Sequence, residues 1–420
     1  MGHQDLRDEA LYESARRDEW LSRQTRVLGM PRRRFLARLA IGGASAALGA
    51  TASFGSVTRF ARSAFAQTSP LVVKPVPSNL FNNFGSNFEM RWENMTARGY
   101  VVPNELFFIR NHTRTPRVDT STWRLRVEGS GVAKPLELTY DDILSLPDVS
   151  VRRYIECAGN GRSFFEAQYN MRAQGTQWKL GAVGAAEWTG VPLREILDRA
   201  GLKPTAVDVM PEGLDDLKVR RPMSVAKALE PDTLVVYAMN GHPLPPDHGF
   251  PVRILTPGWI GVASIKWVNR IEVSETALLS PWNTTSYVMV GPNYKKPEGS
   301  QALGPVLSLQ NVKSALELTW PAELRAGRQT IRGRSWGPYA IVKVEYSLDR
   351  GISWQTARIR DAAAPRAWVR WEFPWDARPG DYGIRARATD AQGNVQPAGV
   401  PFNEQGYLYN AVVGHPVTVV

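Results

Sequence analysis

The chain has 420 residues, 43% apolar and 22% charged, with 14 tryptophans, 30 prolines, a single cysteine and a formal net charge of +11. That length exceeds one compact core and suits two domains of ordinary size, with the composition of a soluble globular protein. One cysteine excludes intramolecular disulfides, CxxC zinc sites and CxxCH haem attachment, and no mature segment reaches the roughly 18 uninterrupted apolar residues of a membrane span.

The first predicted element is a leader. Pro31 to Leu36 (PRRRFL) fits the twin-arginine export pattern, and a weakly apolar, Gly/Ala-rich stretch runs from Leu39 to Val57. Small residues at Ala64 and Ala66 predict a signal peptide over 1–66, cleaved before Gln67, and a periplasmic destination. A membrane anchor is the competing reading, weakened by Gly42, Gly43 and Gly49. The twin-arginine route carries folded proteins, which suits a chain that takes up a bulky cofactor before export. Residues 1–30 carry mixed charge with no assigned role beyond a lengthened n-region. Beyond residue 66 the chain holds 40 basic and 34 acidic residues, a balance of +6. This mild bias suits a small anionic substrate or an acidic partner. No Lys/Arg run of the kind that tracks phosphates is present, so nucleic acid is not expected as a partner.

Residues 67–100, rich in Pro, Asn and aromatics, read as an irregular lead-in. From Leu106 to about Glu275 strands and short helices alternate without regular order. Trp123 to Glu128 and Val252 to Thr256 read as strands, and Tyr140 to Leu146 and Pro192 to Arg199 as short helices. The fold class is therefore α+β, with a mixed α/β domain over 67–298. Beyond about residue 300 the helices vanish. Runs at Ala315 to Trp320, Gln329 to Gly333, Ile341 to Leu348, Trp354 to Ile359, Ala367 to Phe373 and Tyr382 to Thr389 predict strands. Turn signals at Asp349 to Gly351, Pro379-Gly380 and Asp390 to Gly393 separate them, which predicts an immunoglobulin-like β-sandwich over 299–420. No linker of low complexity intervenes, so the two domains are expected to pack closely.

Chemistry concentrates in three clusters. In the first, Tyr154 to Ser163 (YIECAGNGRS), Cys157 is followed by small residues in a loop that ligands can approach. Alone, Cys157 reads more readily as a buried small hydrophobe than as a ligand. Arg152, Arg153 and Arg162 nearby offer the electropositive setting a thiolate needs, and soft thiolate sulfur suits a metal already held by sulfur. The second is Phe107 to His112 (FFIRNH). The third is Pro245 to Arg253, followed by Gly258, Gly261 and Ser264 to Trp267. Individually these have structural readings: Asp247-His248 as a turn cap, Arg253 as a solvated strand residue. Together, their Arg, His and Lys suggest a phosphate-like polyanion lying between them. Neither a P-loop nor a strand-anchored GxGxxG is present, so the receptor is not a nucleotide fold. Apart from His3 in the leader, the histidines (His112, His242, His248, His415) form no HxxxH pair, so protein-ligated zinc or non-haem iron is not expected.

From about residue 85 to the C-terminus the chain resembles the sulfite oxidase family of molybdenum enzymes. The resemblance rests on FFIRNH at 107–112, ECAGNGRS at 156–163, EGLD at 212–215, MNGHPLPPDHGFPVR at 239–253 and SIKW at 264–267. Ser347 to Trp354 and Asp390 to Pro397 match that family's C-terminal sandwich. The resemblance implies one molybdenum–molybdopterin cofactor with Cys157 as the metal's thiolate ligand. It implies that Phe108, Arg110, Asn111, His112, Asp215, His248, Arg253, Ser264, Ile265 and Lys266 hold the cofactor. Arg110 and Arg162 would line an oxyanion pocket, with His112, Trp178 and Tyr287 beside it.

The implied reaction is oxidation of sulfite to sulfate, with two electrons passed to an external acceptor such as cytochrome c; planar guanidinium forks suit such an oxyanion. A possible homodimer follows from the sandwich. The pattern departs from the family where many members place a further arginine from the sandwich, since Trp336 to Tyr339 contains none and Tyr339 falls nearest that place. Gly161 stands where relatives can carry a basic residue. A protein-bound sulfane sulfur, an S-oxide or nitrate therefore remain alternative substrates. A secreted binding scaffold without metal is the reading from another class, opposed by the intact Cys157, Arg110, His248 and Lys266.

Overall fold

The computed structural model describes residues 71–420 apart from Ala97. The predicted leader and its cleavage site lie outside the described residues. The expected irregular lead-in is instead partly ordered sheet. Phe81–Phe84 and Asn87–Met90 form an antiparallel hairpin closed at Gly85, whose φ of 79° is open to glycine without strain. Phe81, Phe88 and Met90 are buried, while the intervening asparagines mask the apolar pattern in the sequence. Ile109–Arg110 adds a third strand, pairing with Asn87 and Phe88, and so fixes where the Arg110 side chain departs.

Two larger sheets follow. In one, the order is His242–Pro243, Leu234–Met239, Val183–Pro192, Val149–Glu156, with Arg253–Leu255 also paired to Leu234–Met239. Every residue of Leu234–Met239 is buried, as expected of a central strand covered on both faces. Val183–Pro192 approaches its neighbours through glycines. A Cβ on Gly184 would sit 2.6 Å from the Phe107 ring, and one on Gly190 2.3 Å from the Val235 carbonyl oxygen. The other sheet runs Leu136–Leu138, Leu125–Glu128, Val268–Ser274, Asp208–Gly213, Met223–Ser224, with one parallel pair between Leu125–Glu128 and Val268–Ser274. The expected helices appear at Tyr140–Ser145 and Leu193–Arg199. Thr139 and Asp142 form a reciprocal capping box at the first of them.

The C-terminal part is a β-sandwich. Lys313–Leu316, Gly327–Trp336, Trp368–Ala377 and Arg358–Ile359 make one sheet. Ala322–Leu324, His415–Val419, Gly380–Asp390, Ile341–Ser347 and Gln355–Thr356 make the other. The expected single strand over Trp354 to Ile359 is in fact two short strands, one in each sheet. Ala357 between them turns its side chain into the core and its amide to the Val344 carbonyl (2.8 Å). Trp371, Phe373, Val344, Ile384 and Val417 fill the space between the sheets.

The sandwich packs closely on the mixed domain. Trp92 meets Trp336 and Trp368 at ring separations of 5.7 and 6.5 Å. The Trp368 indole donates to the Tyr100 carbonyl (2.9 Å), and buried Arg334 pairs with Glu317 (2.5 Å) while also donating to the Tyr100 carbonyl (3.2 Å). A second buried pair, Lys313 with Glu156 (2.7 Å), crosses the boundary one residue before Cys157. Beyond the sandwich's Gly380–Asp390 strand, the chain returns over the helix Ser163–Tyr169, where Tyr409 packs on Phe164 and Phe165 at 5.8 and 4.9 Å.

Candidate active site

Cys157 follows the buried end of strand Val149–Glu156, and its amide extends the ladder by donating to the Ala182 carbonyl (2.9 Å). The chain then turns: Asn160 donates its amide to the Cys157 carbonyl (2.9 Å), and its side chain donates to Glu156 (2.9 Å). Small residues are required here. A Cβ on Gly159 would fall 2.6 Å from the Arg162 guanidinium, and one on Gly261 2.7 Å from the Glu156 carbonyl oxygen. The Cys157 side chain is 7% exposed and lines a cleft of about 710 Å3, measured to its open mouth.

The cleft gathers most of the predicted site. Phe108, Arg110, Asn111 and His112 enter from the end of the three-stranded sheet, and His248 and Arg253 from the turn after Leu234–Met239. Ser264, Ile265 and Lys266 form a third edge, Asp215 a fourth, and Tyr287 closes the mouth. The wall is cationic, and its cations are held mainly by neutral groups. Arg253 donates to the carbonyls of His248 and Ser264 (both 3.0 Å), and Lys266 to the Asp247 carbonyl (2.8 Å) and the Asn111 amide oxygen. Arg110 donates to the Asn111 carbonyl (2.7 Å) and the Tyr287 hydroxyl (3.4 Å).

Loss of water sets the protonation of these groups. Burial pushes the Arg253 guanidinium down to about 9, still charged at neutral pH, and burial plus the Arg253 charge push Lys266 well below the usual lysine value. Burial acts against the Arg110 charge, yet the nearby Tyr287 phenol and Cys157 sulfur hold its pKa above the ordinary guanidinium value. His112 is pushed well down by burial, then by Arg110 and Lys266, and so is neutral at physiological pH. Its Nε2 lies 3.3 Å from both the Trp282 indole nitrogen and the Tyr287 hydroxyl. Because an indole N–H only donates, Nε2 is the accepting nitrogen and Nδ1 carries the proton. Burial also raises the Asp215 carboxyl, which accepts the Val219 amide (2.9 Å).

Two predicted residues stand behind the wall. Trp178 is fully buried, edge-on to Phe108 at 6.5 Å and to Phe84 at 5.6 Å. Arg162 is threaded between Gly159, Gly175 and Gly406, donating to the carbonyls of Thr176 (2.7 Å) and Gln405 (2.8 Å) and lying 5.2 Å over the Tyr407 ring. Its charge still reaches the site, since Cys157, Tyr287 and Arg110 are among the groups whose fields act on it. Tyr339 is 37% exposed, at a hairpin whose Pro338 packs by Gly258 and accepts the Arg366 amide (3.2 Å).

Several groups escaped the sequence reading, and Asp247, read there only as a turn cap, has a larger role. Tyr407, from the returning C-terminal segment, stacks on Tyr287 at 5.1 Å and 12°. Asp247, fully buried, accepts the amides of Val73 (2.9 Å) and Lys74 (2.7 Å) and the Thr115 hydroxyl (2.7 Å), tying the start of the described chain to the cleft wall. The Lys74 ammonium donates to the Asn104 carbonyl (3.1 Å) and lies 3.4 Å from His248 Nε2. Arg221, 1% exposed, donates to the carbonyls of Trp282 and Leu307 beneath the Tyr287 segment. Nothing in the sequence around Lys218 to Arg221 marks Arg221 as buried, so no signal for it was available.

Comparison with known proteins agrees with this geometry. The family described as "Oxidoreductase molybdopterin binding domain" matches residues 112–282, and that described as "Mo-co oxidoreductase dimerisation domain" matches 310–419. Sulfite oxidase of Gallus gallus is 35% identical over 337 residues, covering 76% of this chain and 73% of that protein. Mitochondrial sulfite oxidase of Homo sapiens is 34% identical over 336 residues, and the aligned region spans 76% of this chain but only 61% of the human protein's length. The NADH nitrate reductase of Ulva prolifera is 32% identical, over 74% of this chain and 40% of that one. Among solved structures, the sulfane dehydrogenase SoxCD from Paracoccus pantotrophus superposes with a TM-score of 0.71 at 26% identity, covering 89% of this chain and 95% of that one.

Proposed function

Since the chain belongs to the sulfite oxidase family of molybdopterin-dependent oxidoreductases, we propose that it oxidises sulfite to sulfate and passes two electrons to an external acceptor such as cytochrome c. The observation that carries this reading is the cleft beside Cys157, where Arg110, Arg253 and Lys266 are held largely by carbonyls, an amide and a phenol. Buried cations with neutral partners leave a site short of negative charge, which an anionic cofactor and an oxyanion substrate supply. The residues present therefore fit molybdopterin. Cys157 offers the single thiolate. Phe108, Asn111, Asp215, His248, Arg253, Ser264, Ile265 and Lys266 line the deeper part of the cleft that would hold the pterin and its phosphate.

When bound, the molybdenum cofactor supplies the two-electron exchange and the oxygen transfer to sulfur. The protein's part is binding and orientation. Arg110 directs one donor toward the Tyr287 hydroxyl at the cleft mouth, where a sulfite oxygen would meet both groups. Neutral His112 accepts from Trp282 and Tyr287 at Nε2, which keeps the phenol aimed at the cleft. Arg162 and Trp178 act from behind, one by its field and the other by packing Phe108 in place.

The test is steady-state sulfite oxidation by the mature protein with ferricyanide and cytochrome c, alongside molybdenum content. Near-stoichiometric molybdenum with sulfite-dependent reduction is the expected result. Molybdenum without sulfite turnover would overturn the substrate. A sulfane sulfur carried on a protein is the second reading, favoured by the placement of Tyr339, which leaves the sandwich hairpin without a cation for the cleft. On the same reading the enzyme is exported folded to the periplasm by the twin-arginine route and forms a homodimer through the region around 310–419.

A further inference from the structure

Arg221 belongs to no motif that pointed to the site, yet it lies against the site's mouth. It lies two residues after Val219, which lines the cleft, and its guanidinium joins two chain segments, one at Trp282 just before Tyr287 and one at Leu307. One Nη donates to the Trp282 carbonyl and the other to the Leu307 carbonyl. Those segments are themselves joined, with Leu307 donating its amide to the Tyr287 carbonyl (3.0 Å) and Leu303 to the Thr284 carbonyl (2.8 Å). The Trp282 indole in turn reaches His112, and Tyr287 reaches both His112 and Arg110. Nε of Arg221 is buried without a partner.

A guanidinium this deep is costly unless it is paired or faces negative charge. Burial lowers its pKa to about 10, so it stays charged, and the groups whose fields reach it are the phenols of Tyr287 and Tyr407 rather than carboxylates. Those two rings also stand beside Arg110 and Arg162. Three arginines thus surround one pair of stacked tyrosines. We propose that Arg221 is a positioning residue of the oxyanion pocket: it ties the Trp282–Tyr287 segment to Leu307 and adds a third buried positive charge beside the stacked tyrosines. The inference rests on the oxyanion reading of the cleft.

The probe is sulfate, an oxyanion that is not turned over. Its Kd is measured by calorimetry on the holoenzyme and on Arg221→Met, Arg221→Lys and Arg221→Gln, together with sulfite KM and kcat. Removing a charge from a poorly hydrated pocket should weaken sulfate binding about tenfold or more and raise the sulfite KM in parallel. Arg221→Lys keeps the charge but not the two-carbonyl fork, so it should recover most of the affinity while kcat stays low. Arg221→Gln, which can still donate to one carbonyl, makes the same comparison if Arg221→Met does not fold. A sulfate Kd within about twofold of wild type in the neutral variants, or no recovery in Arg221→Lys, overturns the inference. So does wild-type enzyme that binds no sulfate. If wild type binds sulfate but does not oxidise sulfite, the proposed reaction fails while the role of Arg221 is still decided by the sulfate Kd.

Discussion

Lys313→Met should destabilise the protein through the carboxylate it abandons. Glu156 is fully buried, and its Oε1 accepts from Lys313 (2.7 Å) and Asn160 (2.9 Å) while Oε2 accepts from the Trp336 indole (3.0 Å). Breaking a buried pair by deleting one partner typically costs about 3–5 kcal/mol, because the remaining charge is left uncompensated. Two neutral donors remain, each worth about 1.5–3 kcal/mol to a charged acceptor, so the lower end, about 3 kcal/mol, is expected. At about 2–4 °C per kcal/mol this is a fall of roughly 6–12 °C in Tm. Calorimetry on the molybdenum-loaded protein reads it. Adding Glu156→Gln in the Lys313→Met background should return part of the loss, since it removes the uncompensated charge and its one amide oxygen can still accept from Asn160, while its NH2 is left facing the Trp336 indole. A loss under about 1 kcal/mol, or no recovery in the double variant, would refute the reasoning. Because the carboxylate precedes Cys157, molybdenum content should fall in Lys313→Met and recover with stability.

A second prediction concerns pH. Burial raises the Glu89 carboxyl from 4.5 to about 7 despite its acceptance of the Lys179 (2.6 Å) and Gly181 (3.0 Å) amides and the Asn82 side chain (3.0 Å). A raised folded-state pKa means that stability from this group is fully present below pH 4.5 and is lost as pH rises to about 7. The loss is on the order of 3 kcal/mol across that window, and Glu89→Gln should flatten the dependence in denaturant titrations; an unchanged slope would count against it. Third, Arg253→Met should lower pterin and molybdenum content by about tenfold while leaving sheet structure intact by circular dichroism, since its fork binds two carbonyls of the cofactor-side wall. Full cofactor content in that variant would remove Arg253 from the proposed binding set.

The site was more legible than the sheets that build it. The clusters at 107–112, 156–163 and 239–253 are dense in Arg, His and small residues, and Arg110, Cys157, His248 and Arg253 from them do line one cleft. What sequence could not convey was depth. Arg162 shares its segment with Cys157 but turns behind the wall, where glycines at 159, 175 and 406 make room for its guanidinium, and Trp178 lies behind the wall from a segment that supplies no wall residue. The strand Val183–Pro192 went unread because Gly184 and Gly190 look like turn signals, whereas each marks a close approach of two backbones or of a ring. Leu234–Met239 is apolar throughout and so lacks the alternation that separates strand from helix. Arg221 and Tyr407 reach the site from segments 61 residues or more away from their partners, a relation only the fold reveals.

The closing of the cleft by Tyr407 and the anchoring of its far wall to Val73 and Lys74 bear on biogenesis. At about 5–20 residues per second, a ribosome needs on the order of 6–24 s to travel from Tyr287, the last wall residue, to Tyr407. During that time the growing polypeptide has its thiol and cationic wall but lacks the last ring that stacks over the mouth. Cofactor insertion therefore has an interval set by translation, and a nascent chain stalled short of residue 407 would present an open receptor for molybdopterin.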